Sequence, residues 1–218
     1  MRIVKTAEER RNEILDAAEQ LFNRHGYEGT STNDILAQVG IARGTLYHHF
    51  SSKEAIMDAL IERQTERMLA TARAIAADRS RPVVERIAGA IMALKASGGG
   101  RNEIVSHLHK PQNALMHLKT QQAVISGLTP ILADIVREGM EQGLFDTPFP
   151  RESTEMAVVY AITMFDGELA PSSEEKLAAK ITAFLHNTER LLGAGEGALT
   201  AVTRVFGDPG ADDGGGRG

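Results

Sequence analysis

The chain has 218 residues, 42% of them hydrophobic, no cysteine and a formal net charge of −5. That length supports a substantial core in one domain or two closely packed ones. No apolar run reaches the roughly 18 residues of a membrane-spanning helix, the first ten residues have no signal-peptide h-region, and without cysteine there is neither a disulfide framework nor a thiolate metal site. A cytoplasmic location with no membrane partner is expected. The negative charge taken whole argues against a nucleic-acid binder, but through Lys53 seven cations face seven anions, so the excess acidity lies further along.

Strong helix formers dominate and strand-like alternation is scarce, which predicts an all-α fold. Ile14, Ala17, Ala18, Leu21 and Phe22 share one face of an amphipathic helix that ends near His25-Gly26. A short helix is predicted over Thr32–Val39, with Ser31-x-x-Asp34 as a capping box and Gly40 as its stop. Another runs from Arg43 to His48, and Ser51 or Ser52 then caps a long helix from Lys53 to about Ala77. Pro82 opens a helix over Val83–Lys95, and Ser97-Gly98-Gly99-Gly100 forms a loop. Arg101–His109 has the composition of a short helix. Gln112–Gln142 is helical in composition, with Pro130 expected to kink or divide it. Further helices are predicted from Pro150 or Arg151 to about Gly167 and over Ser173–Leu192. From Gly193 onward glycine dominates, and a mostly disordered tail is expected, with a weak helix around Ala198–Phe206.

Two short helices joined by a glycine turn and preceded by a third have the layout of a helix-turn-helix. Ile35, Val39, Ile41, Leu46 and Phe50 are spaced to pack these helices against Leu21 and Phe22. That leaves the outer side of the second short helix, with Arg43, Gly44, Thr45 and His48, free to enter a major groove. Arginine can bond guanine bidentately, threonine offers a hydroxyl or a methyl, and Gly44 permits close backbone approach. Tyr47, His49 and Lys53 fall where phosphates would pass, beside the amide-rich start of the next helix.

The stretches His25-Gly26-Tyr27, Ser31-Thr32-Asn33-Asp34-Ile35 and Val39-Gly40-Ile41-Ala42-Arg43-Gly44-Thr45-Leu46-Tyr47-His48-His49-Phe50-Ser51-Ser52-Lys53 closely resemble the DNA-binding signature of the tetracycline-repressor family. The resemblance is strong over roughly residues 7 to 60. Beyond it, only the length, the helix count and Glu138-Gly139-x-x-x-Gly143-x-Phe145 look similar. It implies that Ser31, Thr32, Tyr47, His49 and Lys53 hold phosphates and that Asn33, Arg43, Gly44, Thr45 and His48 lie near bases. It further implies a regulator, most simply a repressor that leaves operator DNA when a small-molecule effector binds. The organisation expected is a reader over 1–52, a helical effector-binding and dimerising domain over 53–192, and a glycine-rich tail over 193–218.

Readers of this kind act as dimers on paired half-sites. In Ser173–Leu192 the apolar residues Leu177, Ile181, Phe184 and Leu185 form a stripe. The preceding helix is apolar nearly all round, with Met156 and Val159 among its residues, so one side is expected to meet its own core and the other a partner subunit. Adaptable or polar-tipped residues of the middle helices, Met92, His107, Met116, His117, Tyr160 and Met164, are the candidates for an effector site. His107, His109 and His117 are badly spaced for a metal, and neither a metal nor a cofactor is expected. No Gly-x-Ser-x-Gly elbow, phosphate loop or His-Glu-x-x-His motif is present. An enzyme on a helical scaffold and a dimeric interaction module without regulated DNA binding are the competing readings.

Overall fold

The computed structural model describes residues 5–97, 114–165 and 173–206. Among these residues the chain is helical throughout, with α1 over Ala7–His25, α2 over Thr32–Val39, α3 over Arg43–His49, α4 over Lys53–Ala77, α5 over Val83–Ser97, α6 over Ala114–Glu141, α7 over Pro150–Phe165, α8 over Glu174–Leu192 and a 3₁₀ helix over Thr200–Phe206. The expected helix over Arg101–His109 lies outside the described residues. Pro130 sits inside α6, which continues through it as one element rather than dividing. No described helix is long and apolar enough to cross a membrane.

The chain forms two compact units, one from residues 1–67 and 99–123, the other from 68–98 and 124–218. The first unit therefore extends past residue 52. Ile56, Met57, Leu60 and Ile61 of α4 and Met116 of α6 join Ile14, Leu15, Ala18, Leu21, Phe22, Ile35, Leu46 and Phe50 in one buried cluster. Ion pairs reinforce it: Arg63 of α4 reaches Asp16 at 2.7 Å and Glu19 at 3.0 Å. Lys119 of α6 reaches Glu54 at 2.9 Å and Asp58 at 2.7 Å, and these two carboxylates push its pKa up to about 12.

In the second unit a larger apolar cluster gathers the ends of α4 and α6 with α5, α7, α8 and the 3₁₀ helix. The stretch Glu138-Gly139-x-x-x-Gly143-x-Phe145 shapes it. Glu138 accepts a hydrogen bond from Arg86 Nη1 at 2.7 Å, while Nε of the same buried guanidinium donates to the Ala76 carbonyl at 2.9 Å, near the end of α4. The Phe145 ring lies so close to Gly139 that a Cβ there would come within 2.5 Å of it.

The helix expected around Ala198–Phe206 is present as the 3₁₀ helix, but the segment departs from expectation in its packing. Residues 194–206 are not loose: Leu199, Val202 and Val205 are buried in the second core. Glu189, itself buried, accepts backbone hydrogen bonds from Gly197 at 3.1 Å and Leu199 at 2.9 Å. The apolar residues recur every third position, the period of a 3₁₀ helix, so all three fall on one face. Residues 207–218 lie outside the described residues.

Candidate nucleic-acid interface

α2 and α3 are too short to persist alone, and local contacts set their ends. At the start of α2, Asp34 N donates to Ser31 Oγ at 3.2 Å, and Ser31 N returns a bond to Asp34 Oδ2 at 2.8 Å, a closed capping box. The Ser31 hydroxyl also donates to Asp34 Oδ2 at 2.6 Å, and these bonds hold the Asp34 carboxyl below the usual carboxylate range. Gly40 ends α2 at φ 71° and ψ 40°, a left-handed conformation costly for residues with a Cβ. Its N–H donates to the Leu36 carbonyl at 2.9 Å. α3 then begins on Ala42 with no side-chain cap, and its inner face is fixed by Leu46, 1% exposed, and by Phe50 at its C-cap.

Fixing that face presents the other. Arg43, Gly44 and His48 are exposed, Thr45 is half-buried, and α3 carries no carboxylate. Open space surrounds the position a Gly44 Cβ would take. Tyr47 is 41% exposed, and the Arg43 guanidinium sits 5.4 Å from its ring centroid. Hydrogen bonding first to Arg43 and then to Thr32 lowers the phenol's pKa. Arg43, Tyr47 and Thr32 thus form a connected trio across the two short helices, with the base-reading candidate stacked on a phosphate-reading one. Asn33 is exposed and His49 half-buried.

Lys53 is differently employed. Its ammonium donates to the carbonyls of Tyr27 at 2.8 Å and Thr30 at 2.9 Å and lies 4.1 Å from the centroid of the Tyr27 ring. Two of its three N–H bonds are spent tying the loop between α1 and α2 to the start of α4.

The anions of this unit are largely engaged. Glu9 closes the Thr6 capping box, Glu13 pairs with Lys5 and Arg10, Asp16 and Glu19 hold Arg63, and Asp34 caps α2. A charge-balanced head thereby offers a recognition helix free of acid. A family model described as bacterial regulatory proteins of the tetR family matches residues 14–60, and one described as the tetracyclin repressor-like C-terminal domain matches residues 97–187. The HTH-type transcriptional regulator UidR of Escherichia coli K12 is 30% identical over 205 residues, covering 89% of this chain and 95% of UidR.

The chain belongs to the TetR family.

Solved TetR-family structures share the fold. SmeT, the repressor of the Stenotrophomonas maltophilia multidrug efflux pump SmeDEF, superposes with a TM-score of 0.62 at 20% identity, covering 86% of this chain and 92% of SmeT. RolR in complex with resorcinol gives 0.62 at 19% identity, with 91% and 95% covered. The protein is accordingly a helix-turn-helix, DNA-binding transcriptional regulator.

The remaining candidates separate. Met116 is buried in the first core and His117 is half-buried on the same helix, whereas Met92, Tyr160 and Met164 belong to the second unit. Tyr160 stacks on Phe184, centroids 5.4 Å apart and planes 7° apart, and Lys180 Nζ lies 3.7 Å from Met164 Sδ. Met92 is exposed, and His107 lies outside the described residues. Met116 and His117 thus belong to the first unit and Met92, Tyr160 and Met164 to the second: helical periodicity marks a residue as apolar-facing but not which cluster it joins. Of the dimer candidates, Met156, 61% exposed, and Val159 are open on α7. On α8, Leu185 is buried, Ile181 and Phe184 are half-buried against their own core, and Leu177 is half-buried.

Proposed function

We propose that this TetR-family regulator is a homodimeric cytoplasmic repressor that leaves its operator when a small-molecule effector binds the second unit, and that it catalyses no reaction. The observation that carries the DNA part is α3 itself. Its inner face is locked by Leu46 and Phe50, and its outer face, free of carboxylates, presents Arg43, Gly44, Thr45, Tyr47 and His48. We assign Arg43, Gly44, Thr45, His48 and Asn33 to the bases and Thr32, Tyr47 and His49 to phosphates, with Ser31 and Lys53 chiefly setting the shape of the reader. Met156, Val159 and Tyr160, exposed together on α7, support the dimer. SmeT is named a repressor and RolR was solved with resorcinol, which favours derepression by a small molecule, and Tyr160 and Met164 are the effector candidates in the second unit. An effector acts only by preferring the state that fits DNA poorly.

The test is fluorescence anisotropy with duplexes from the region upstream of the protein's own coding sequence, followed if necessary by selection from random duplexes. Specific, salt-weakened binding is expected, and Arg43→Ala with Tyr47→Ala should abolish it while the fold persists. A folded dimer that selects no duplex would leave the interaction-module reading instead.

A further inference from the structure

The corner where α1 meets the end of α3 holds cations that the helix-turn-helix reading leaves unused. Arg11, exposed on α1, lays its guanidinium over the Phe50 ring, Cζ 4.9 Å from the centroid, and forms no ion pair among the described residues. Phe50 is the C-cap of α3, so this stack fixes a charge from α1 beside the last turn of α3. That turn ends in His48 and His49, whose rings are 5.2 Å apart. Arg10 stands on the same side and shares Glu13 with Lys5, at 2.5 and 2.6 Å.

The groups that act on His49 are thus all cationic or capable of becoming so: His48 from α3, and Arg10 and Arg11 from α1. Glu13, the carboxylate paired with Arg10, already serves two cations. Partial burial first, then these neighbours, push the His49 imidazole below its ordinary pKa. No anion is among the groups acting on His49, and a diester phosphate supplies one with acceptors for both a guanidinium and an imidazolium.

We propose that Arg11 and His49 together hold a DNA backbone phosphate, and that closing this contact places a proton on His49. The proposal rests on α3 entering the groove, and it adds a residue of α1 to the interface. In the free protein His49 is neutral near neutral pH. A phosphate stabilises the charged form, so binding takes up a proton and affinity rises as pH falls. The rise ends once His49 is protonated without DNA.

The experiment uses the full chain and the duplex that wild type selects from a random pool, with anisotropy over a salt series and from about pH 8 to about pH 6. Arg11→Gln, which keeps a stem over Phe50 and removes the charge, is expected to flatten the salt dependence of log K by about 0.9 per protomer. Arg11→Lys should restore it. For wild type, log K should climb with falling pH by up to about one unit per pH unit per protomer, and His49→Gln should remove that climb while His48→Gln leaves it. An unchanged salt slope in Arg11→Gln, or a pH dependence that survives His49→Gln and disappears in His48→Gln, overturns the assignment. If wild type selects no duplex, the groove reading falls and takes this one with it. Binding that needs Arg43 but ignores Arg11 removes this one alone.

Discussion

Lys53 separates two roles that motif spacing cannot. A lysine at the start of α4 is placed to meet a phosphate, yet its ammonium already donates to the Tyr27 and Thr30 carbonyls and lies against the Tyr27 ring. Hydrogen bonds to a charged group are worth about 1.5–3 kcal/mol. Lys53→Gln is therefore expected to lower stability by about that amount in urea unfolding while leaving the salt slope of DNA binding unchanged. A slope reduced by about 0.9 per protomer with unaltered stability would return Lys53 to the phosphates. Arg43 and Tyr47 stood out in the sequence as candidate contacts from their places on the second short helix. That one is stacked on the other was not legible, because it depends on rotamers. Arg11 escaped for another reason: its partner Phe50 is distant in the chain, and nothing local to α1 marks that arginine as different from Arg10.

At the scale of elements, what was legible tracks how local the cause is. α1 to α4 follow from a 3.6-residue apolar period and, for α1 and α2, from caps within three residues of the helix ends. α2 shows how much rests on such a cap. It has eight residues and one fully buried side chain, Ile35, so packing alone holds it weakly. Ser31→Ala should cost about 1 kcal/mol, read as a lower urea midpoint, and should weaken DNA binding, since α2 supports the trio of Thr32, Tyr47 and Arg43. An unchanged midpoint would show that Ile35 and the Gly40 turn suffice. The 3₁₀ helix was legible only as a weak helix in a loose tail: glycines on both sides suggest a solvated segment, and the core that Leu199, Val202 and Val205 join is assembled largely from residues distant in the chain. Leu199→Ala should destabilise the second unit by about 2–5 kcal/mol, as for other buried leucines. Glu189→Ala, which strands two backbone N–H groups, should make the segment near residue 197 an early site of limited proteolysis. Resistance equal to wild type would mean that the apolar contacts hold the segment unaided.

For the whole molecule, the question is which surface makes two half-site readers into one. In sequence both the apolar stripe of α8 and the all-round apolar α7 were candidates; on α8 Leu185 is buried and Ile181 and Phe184 are half-buried against their own core. Among the exposed apolar residues, Met156, Val159 and Tyr160 lie within two turns of one another on α7. A helix apolar on all sides has to be covered on all sides, and α7 buries only part of itself: Val158 reaches the core and Met156 does not. A second copy of the same helix, related by a two-fold axis, would present identical residues and close the patch. Met156→Glu places a charge from each protomer in that contact without disturbing the core. The variant is expected to sediment as a monomer, to keep its helical circular dichroism, and to lose most of its operator affinity, since a lone reader gives up the second half-site. A Met156→Glu protein that still sediments as a dimer would move the interface off this face of α7 and leave Met156 and Tyr160 as the rim of some other contact.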